Sequence, residues 1–517
     1  MNSCKVSRLR RFHTTAWTLL GAFLFVLLVP WLFRKGMFWD GVVYGAISRN
    51  LAAGIGDAWH PTVTATFFRD IREQPPLGFW LQAAFFRVFG DRFWIERLYS
   101  LTTLLIGGSI LLATWRWLLR DRAGASACGW LAAALWAPFG IWCYRHNMLE
   151  NTMGMFTALS VYASLRALHR GRGAATWSIL SGLAISAAVL SKGPVGLFPA
   201  ITPAIAWITL RRTPPLPLGE GIGECTFARA LWVQSGVLCV MAVSLGLMLI
   251  PPAAREYLSG YWQQQVVSSM RGEREIVLSI AGHLNIVLLL ARNLGIPALI
   301  VGGLSLISRF SIGPPAGEAR PTGPMWFCLL TALSASLPIA LSPKQGGHYV
   351  APSWPFFIFA LVLWGMPAVV ELSSRMALWS RHMLLRYGAG AVVAGTVLFS
   401  ALTYGTCGRD QPIIDVVNQV GERVGPRATI AVPSESWYKF NTGERLLIHT
   451  YLYRYYQVSI WTEELAPAWG FECFRLQAPD PELVMSETRV VTPAGLEWYP
   501  LVPQPSNRMA AAESAFR

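Results

Sequence analysis

Apolar stretches near the ~20 residues that a helix needs to cross a bilayer recur along this chain from Thr14 to Tyr404. Backbone N–H and C=O groups find no water in the hydrocarbon, so a spanning segment must satisfy them as a helix or a closed barrel. The pattern predicts an all-α polytopic membrane bundle and excludes a single anchor. We count about eleven spans, near residues 14–33, 97–119, 126–143, 151–168, 175–192, 194–211, 230–250, 284–308, 325–341, 349–371 and 385–404.

Composition agrees with a lipid-embedded chain and excludes several functions. Hydrophobic residues make up 53% and charged residues 14%, and the mean hydropathy is +0.41. The net charge of +15 is explained by short basic loops between spans, so no nucleic-acid partner is expected. The eight cysteines show no metal-knuckle spacing, although Cys407 and Cys473 are candidates for a disulfide in an oxidising compartment.

Basic residues set the predicted orientation through the positive-inside rule. Four precede the first span, and alternate connections carry further pairs, which places the N-terminus and these connections in the cytoplasm: Lys5, Arg8, Arg10, Arg11, then Arg120 and Arg122, Arg170 and Arg172, Arg211 and Arg212, Arg309 and Arg320, Arg375 and Arg381. The opposite loops face outward: residues 34–96, 145–150, 191–194, 251–282 and 342–348. An odd number of spans puts the C-terminal region outside as well.

Two parts of the chain outside the spans are predicted to have structure of their own. The outer loop 34–96 contains two amphipathic stretches, residues 41–53 and 77–89, suited to lying in the membrane surface. Residues 405–517 have the composition of a small soluble α/β domain. A helix is predicted at 413–424 and β-strands at 428–432, 457–461 and 489–491. The predicted domains are therefore 1–404, in the membrane, and 405–517, on the outer face.

Ionisable residues lie beside the spans at four outward sites, and each has a structural alternative. Asp40 begins the first interfacial stretch and is either a helix N-cap or a catalytic carboxylate. The second site, residues 69–76, holds Arg69, Arg72 and Glu73 before two prolines, where a solvated turn is the alternative. Glu150 follows the third span and is a substrate-binding candidate or a purely structural partner of a nearby arginine.

The fourth site combines Lys192 with Lys344 and His348 at two outer span ends, where a snorkelling lysine is the common explanation. Carboxylates and cations on one membrane face suit sugar transfer from a lipid phosphate. A carboxylate takes the proton of the acceptor hydroxyl, and cations stabilise the departing phosphate. A transporter would instead place its charges near the bilayer midplane.

At these residues the chain resembles the GT-C glycosyltransferases of the protein O-mannosyltransferase and lipid A aminoarabinose transferase type. The resemblance rests, in order, on FWDGVVYGAISRNLA, REQPPLGFWLQAAFFRVFG with WIERLYSL, RHNMLENTM, LSKGPVGLFPA and SPKQGGHYVAPSWP. It implies an outer cavity, a polyprenyl-phosphate sugar as donor and inverting transfer in one displacement. It also implies that Asp40 is catalytic and that Glu73 helps to build a site which binds a divalent metal in some members.

The chain departs from the family pattern at Gly41, Val43 and Gln74, where a second acidic residue and two cations are usual. Substitutes for these cations are Arg69, Arg72, Arg271 and Arg274. The charges and the resemblance together predict a membrane glycosyltransferase that acts at the outer face. The similarity to compact bacterial members implies a bacterial inner membrane and its periplasmic face. The acceptor is a lipid, a glycan or a protein. The rival interpretations are a lipid or polysaccharide transporter and an inactive scaffold relative.

Overall fold

A computed structural model describes most of the chain up to residue 462, and beyond it two short pairs of residues. The described residues are 3–64, 66, 71–119, 128–169, 173–211, 226–271, 273, 280–312, 320–342, 346–375, 382–424, 429–432, 442–462, 475–476 and 501–502. The predicted strand at 489–491 and the half-cystine candidate Cys473 lie outside them.

The chain forms two compact units. Unit 1 comprises Met1–Leu32, Arg72–Gly78 and Arg97–Thr403. Unit 2 comprises Phe33–Ile71, Phe79–Glu96 and Tyr404–Arg517. Most of the outer loop 34–96 therefore belongs to the same unit as the C-terminal region, whereas the sequence pattern assigned that loop to the membrane domain.

Helices dominate the described residues. In chain order they are α1 (Ser3–Leu32), α2 (Trp39–Ala52), α3 (Leu77–Phe89), α4 (Ile95–Leu118), α5 (Gly129–Arg145), α6 (Leu149–Leu168), α7 (Ala174–Lys192), α8 (Thr202–Leu210), α9 (Phe227–Met248), α10 (Pro252–Tyr261), α11 (Ser268–Met270), α12 (Ile280–Ile312), α13 (Thr322–Leu341), α14 (Trp354–Arg375), α15 (His382–Leu402), α16 (Gln411–Val424) and α17 (Thr442–Tyr456). Single 3-10 turns at Pro194–Ile201 and Gly347–Val350 and a π-helical turn at Trp262–Val267 complete the helical elements.

Eight helices of the described chain are long and apolar enough to cross a membrane. They are Phe12–Leu32, Ile95–Leu118, Ala174–Lys192, Phe227–Met248, Leu284–Phe310, Thr322–Leu341, Trp354–Ser373 and Leu385–Leu402. All eight match predicted spans, so the polytopic helical bundle is confirmed. The other three predicted spans are also helical, but α5 has 17 residues, α6 is more polar, and residues 194–210 are divided into a 3-10 turn and α8. The total of eleven stays a prediction.

Hydroxyl side chains join the central helices of unit 1. The Ser181 Oγ of α7 lies 2.9 Å from the Ser160 Oγ and 2.8 Å from the Ser164 Oγ, both on α6. On its other side, α7 reaches α9 through Ser186 and Ser244, whose Oγ atoms are 2.6 Å apart. Lipid provides no hydrophobic force between helices, so small residues and interhelical hydrogen bonds hold such bundles together. These contacts fix α7, whose C-terminal end carries Lys192.

Unit 2 contains the predicted C-terminal helix and two of the predicted strands. Strands β1 (Thr429–Val432) and β2 (Ser459–Thr462) pair in parallel, with Thr429 opposite Ser459, and α17 forms the connection between them. A second pair, β3 (Arg475–Leu476) and β4 (Leu501–Val502), is antiparallel. Helices α16 and α17 pack together, and the apolar core includes Val417 and Tyr451.

A buried charge network ties α17 to the start of α4 within unit 2. The Arg454 guanidinium donates to both carboxylate oxygens of Glu96, at 2.6 and 3.1 Å, and to Asp91 at 2.8 Å. The Arg454 and Glu96 side chains are 2% and 0% exposed. Burial alone would lower the pKa of Arg454, but the Glu96 and Asp91 carboxylates outweigh it and raise that pKa. A buried charge needs such a bidentate partner, because an unpaired one is strongly destabilising.

Candidate active site

The candidate site is a cavity of about 490 Å³ in unit 1. Its walls come from the start of α6, the end of α7, the 3-10 turn after it, the π-helical turn, α11, α13 and the Glu73–Gln74 segment. The lining residues are Glu73, Gln74, Glu150, Met153, Lys192, Pro194, Val195, Leu197, Phe198, Ile201, Tyr261, Gln265, Val266, Ser269, Met270, Ser334, Ala335, Pro338, Ile339, Ser342 and Tyr349. The lining combines a few charged groups with a largely apolar wall, as is common for ligand sites.

A buried ion pair lies in this lining. The Lys192 Nζ is 3.2 Å from the Glu150 Oε1, and the two side chains are 6% and 0% exposed. The Nε2 of His348 is 3.7 Å from the same oxygen and forms a second ion pair when the ring is protonated. Neither Glu150 oxygen has a hydrogen-bond partner within the described ranges. Glu150 is therefore held by charge in a place where a ligand hydroxyl or a water can donate to it.

The local sequence explains why Glu150 and Lys192 reach the cavity. Glu150 lies in the first turn of α6, where the helix dipole favours a carboxylate. The turn before it contains Asn147 at φ 52°, and the Asn151 side chain closes it by donating from its Nδ2 to the Cys143 carbonyl at 3.0 Å. At the other side, α7 ends at Lys192 because Gly193 follows at φ 88° and Pro194 follows that.

Aromatic side chains complete the surroundings of Lys192. The Lys192 Nζ lies 5.7 Å from the centre of the Tyr349 ring, and the His348 and Tyr349 rings pack edge-to-face at 4.6 Å. Tyr261 is buried, and burial raises its pKa to about 12, although Lys192 partly opposes that shift. The Tyr261 hydroxyl therefore stays protonated at neutral pH and can donate a hydrogen bond into the cavity.

The Glu73 segment is anchored inside unit 1 by α10. The Arg72 Nη2 is 2.7 Å from the Glu256 Oε1, and the Tyr257 hydroxyl donates to the Gln74 carbonyl at 2.6 Å. Gly260 lies against the Arg72 side chain, where a Cβ would meet the Arg72 Cδ at 2.6 Å. Arg72 is thus engaged by α10 and is not among the residues that line the cavity, whereas Glu73 and Gln74 are.

The structure brings Glu73, Glu150 and Lys192 to one cavity and places His348 against Glu150. Arg271 follows the lining residue Met270, but its side chain is 67% exposed and lies 4.0 Å from Glu273. The remaining cations predicted for the site lie outside the described residues: Arg69, Arg274 and Lys344. Sequence reasoning did not single out Tyr261, Gln265 or Tyr349, although all three stand in segments that it had quoted as motifs or outer loops.

Asp40 belongs to unit 2 and is the second residue of α2. The N-cap of α2 is Phe38, with φ −56° and ψ 141°, and its side chain makes no capping hydrogen bond. The N-cap interpretation of Asp40 is therefore wrong, because helical geometry begins one residue before it. The carboxylate lies in the first turn, where the helix dipole favours negative charge, and the residue is half-buried.

The divalent metal suggested by the family resemblance was tested against the side chains. Within the part of the chain that the structure describes, no group of three or more His, Cys, Asp or Glu residues is arranged to hold a metal ion. Glu73 and Glu150 both line the cavity, but two carboxylates without a third ligand fall short of an all-protein site. We therefore derive no step through a metal.

Part of the chain matches a known protein family. Residues 73–215, which contain Glu73, Glu150 and Lys192, match the family model described as dolichyl-phosphate-mannose-protein mannosyltransferase. No curated protein sequence matches the chain.

Among solved structures, ArnT from Cupriavidus metallidurans in the apo state superposes with a TM-score of 0.55 at 17% identity, covering 86% of this chain and 84% of that chain. ArnT bound to undecaprenyl phosphate gives 0.52 at 17% identity, covering 86% and 85%. The oligosaccharyltransferase AglB from Archaeoglobus fulgidus is more distant, with a TM-score of 0.38 at 13% identity, covering 85% and 64%. The chain therefore has the GT-C fold of ArnT, and the family resemblance inferred from its motifs is confirmed.

Proposed function

We propose that this chain is an integral-membrane glycosyltransferase that takes its sugar from a polyprenyl-phosphate carrier. The observation that carries the proposal is the cavity of unit 1, where the buried Lys192–Glu150 pair stands beside an apolar wall that includes Leu197, Phe198 and Ile201. A phosphate attached to a long hydrocarbon needs a cation for one part and apolar surface for the other. ArnT, which shares the fold, has been crystallised with undecaprenyl phosphate.

The reaction exchanges one C–O bond for another. The acceptor hydroxyl attacks the anomeric carbon while the bond between that carbon and the phosphate oxygen of the carrier breaks. The anomeric configuration inverts, and polyprenyl phosphate leaves. A general base takes the hydroxyl proton, and hydrogen-bond donors and cations stabilise the charge that develops on the phosphate. We assign the base to Asp40, and the phosphate to Lys192 with the Tyr261 hydroxyl as a donor.

The charges of the described lining indicate that further cations take part. Glu73 and Glu150 contribute two negative charges and Lys192 one positive charge, so these three residues together repel a phosphate. Lys344 stands in the chain between the lining residues Ser342 and Tyr349, and Arg274 follows Met270 by four residues. We propose that Lys344, Arg274 and Arg69 supply the missing positive charge and that the phosphate competes with Glu150 for Lys192.

A hexose and a pentose make the same demands on the base and on the phosphate site. The acceptor hydroxyl belongs to a lipid, a glycan or a protein, and acceptor choice depends on the shape of the site. We place the reaction at the periplasmic face of a bacterial inner membrane, with the N-terminus in the cytoplasm and residues 405–517 outside, on the basis of the positively charged loops.

The test compares lipid-linked sugars in cells that lack the protein with those in cells that express variants of it. Mass spectrometry of polyprenyl-phosphate sugars should show one species that accumulates without the protein and is cleared by the wild type. Asp40→Asn should clear it at least about a hundredfold more slowly, because general-base catalysis contributes roughly 10²–10⁴-fold. The matched control is Asp57→Asn, which changes an exposed carboxylate of the same outer loop that accepts hydrogen bonds from Trp59 and His60 of its own turn.

Purified Asp40→Asn protein should still bind undecaprenyl phosphate in native mass spectrometry, because its cavity is unchanged. Clearance by Asp40→Asn at the wild-type rate would refute the base assignment. If no lipid-linked sugar changes in the deletion cells, the transferase proposal fails. A carrier that stays intact but accumulates in the inner leaflet would favour a transporter instead.

A further inference from the structure

The segment before Asp40 is held by residues that come much later in the chain, all of them within unit 2. The Lys35 amide donates to the Thr406 carbonyl at 2.8 Å, and the Gly408 amide donates to the Lys35 carbonyl at 2.9 Å. The Gly36 amide donates to the Tyr455 hydroxyl at 3.2 Å. Gly36 has φ 84°, and a Cβ there would collide with the Arg409 carbonyl, so only glycine fits.

Tyr451 of α17 bonds to Met37, which precedes Asp40 by three residues. Its hydroxyl accepts from the Met37 amide at 2.9 Å and lies 2.8 Å from the Met37 carbonyl oxygen. It also lies 2.8 Å from the Asp410 Oδ2. A phenol has a single proton, so it donates either to Met37 or to Asp410 at any moment. Asp410 therefore competes with the backbone of Met37 for that proton.

The surroundings make this contact rigid. Tyr451 and Met37 are 0% and 1% exposed, and the Tyr451 ring stacks on Tyr455 at 5.5 Å. Burial raises the pKa of the Tyr451 hydroxyl, with further contributions from Tyr455 and Asp410, so the group stays protonated. The Arg409 guanidinium lies 5.5 Å from the centre of the Phe38 ring and pairs with Asp410 at 3.2 Å. The backbone of each of residues 35–37 is thus bonded directly to the C-terminal region, and the Phe38 ring lies under the Arg409 guanidinium.

This arrangement compensates for a missing cap. Helix α2 begins at Trp39, and the side chain of its N-cap residue Phe38 makes no capping hydrogen bond. Ordinarily a polar N-cap residue fixes where such a helix starts. Here the entry angle of the chain into α2, and with it the position of Asp40 one residue later, is set by the contacts of residues 35–38.

We propose that Tyr451 is a positioning residue that holds the Met37–Asp40 entry of α2 in the geometry that the transfer reaction requires. The inference rests on the proposed role of Asp40 as the base. Tyr451 touches no reacting atom; it acts through the backbone of Met37. A misplacement of about 1 Å at a reacting group reduces rate by up to about a hundredfold, so a single hydroxyl at this point has a measurable catalytic effect.

The experiment uses Tyr451→Phe in the full chain and Tyr456→Phe as the matched control. Tyr456 lies on the same helix, and its hydroxyl donates to the Asn418 Oδ1 at 3.0 Å without contacting residues 36–38. Tyr451→Phe should slow clearance of the accumulated polyprenyl-phosphate sugar by about tenfold to a hundredfold. Its affinity for undecaprenyl phosphate should stay within about twofold of wild type. Tyr456→Phe should clear at the wild-type rate.

Two further measurements separate positioning from general stability and from the proposed function. Tyr451→Phe should add no loss in an Asp40→Asn background, because the group it positions is already gone. In hydrogen exchange, amides of residues 36–42 should exchange faster in Tyr451→Phe than in wild type or Tyr456→Phe. Unchanged exchange there would overturn the proposal whatever the activity. Equal losses in Tyr451→Phe and Tyr456→Phe would also overturn it, whereas a wild type that clears no lipid would refute only the transferase function.

Discussion

At the scale of single residues, the Lys192–Glu150 pair has a double role. Both side chains are almost fully buried, and each makes the burial of the other tolerable. In the proposed site, the same proximity neutralises the lysine until the carrier phosphate binds. The effect of changing either residue alone therefore includes the penalty of an unpaired buried charge, and only the double change separates that penalty from the loss of ligand binding.

Lys192→Met should lower the affinity for undecaprenyl phosphate about tenfold to a hundredfold, because hydrogen bonds to charged groups contribute ~1.5–3 kcal/mol. It should also destabilise unit 1 by roughly 3–5 kcal/mol, since the buried Glu150 loses its lysine partner. The double variant Glu150→Gln with Lys192→Met should unfold at a higher temperature than the single variant and still bind weakly. Native mass spectrometry measures the affinity, and thermal unfolding measures the stability. If Lys192→Met binds undecaprenyl phosphate with wild-type affinity, Lys192 is not part of the phosphate site.

The sequence predicted Glu73, Glu150 and Lys192 on one membrane face, because each is a charge beside an apolar run. The structure brings all three to the lining of one cavity, and their roles there stay predictions. It did not predict Tyr261 or Tyr349. An aromatic residue at the end of a span is typical of the membrane interface, so its type alone carries no signal for a cavity.

At the scale of elements, the end of α7 depends on Gly193. Its φ of 88° and ψ of −153° belong to a region open almost only to glycine, and a Cβ would collide with the Tyr261 hydroxyl. Gly193 therefore determines that α7 ends at Lys192, and it allows Tyr261 of α10 to approach the end of α7 closely.

Gly193→Ala should destabilise the protein by about 1–3 kcal/mol through backbone strain and should weaken undecaprenyl phosphate binding by displacing Tyr261. Gly154→Ala is the matched control, because Gly154 lies inside α6 with nothing within 4 Å of an added Cβ. That change should be neutral or stabilising. Thermal unfolding compares the two variants, and an equal midpoint for both would contradict the strain at Gly193.

Helices that are defined by length and hydropathy were predicted well from the sequence. Elements whose bounds depend on prolines, or whose contacts are with residues distant in the chain, were predicted less well. The eight long spans follow from the length and mean hydropathy of their apolar stretches alone. Residues 194–210 read as one span, but Pro194, Pro199 and Pro203 divide them into a 3-10 turn and α8. The parallel pairing of β1 with β2 and the Arg454–Glu96 contact join residues far apart in the chain, and periodicity contains no information about such partners.

At the scale of the whole molecule, the parity of the spans decides where the C-terminal region lies. The eight long apolar helices alone would return the chain to the side of the N-terminus, whereas eleven spans place its two ends on opposite sides. The question reduces to whether α5, α6 and the 194–210 segment each cross the membrane. Basic residues between the predicted spans favour eleven crossings.

Alkaline phosphatase fused after residue 517 should therefore be active in the periplasm, and a fluorescent protein at the same point should stay dark. Fusions truncated in the basic connection near residue 378 should give the reverse result, because that connection is predicted to be cytoplasmic. Fluorescence from the full-length fusion would show an even number of spans and would move residues 405–517 to the other side.

The bonds between residues 35–37 and the C-terminal region also constrain biosynthesis. Hydrogen bonds such as that from the Met37 amide to Tyr451 join positions 414 residues apart. At roughly 5–20 residues per second, the ribosome needs on the order of tens of seconds to synthesise the residues between them. During that time the first span is already available to the translocation machinery, yet the entry to α2 lacks its partners. A chain released before residue 451 is made therefore lacks the Tyr451 bonds that hold the segment leading to Asp40.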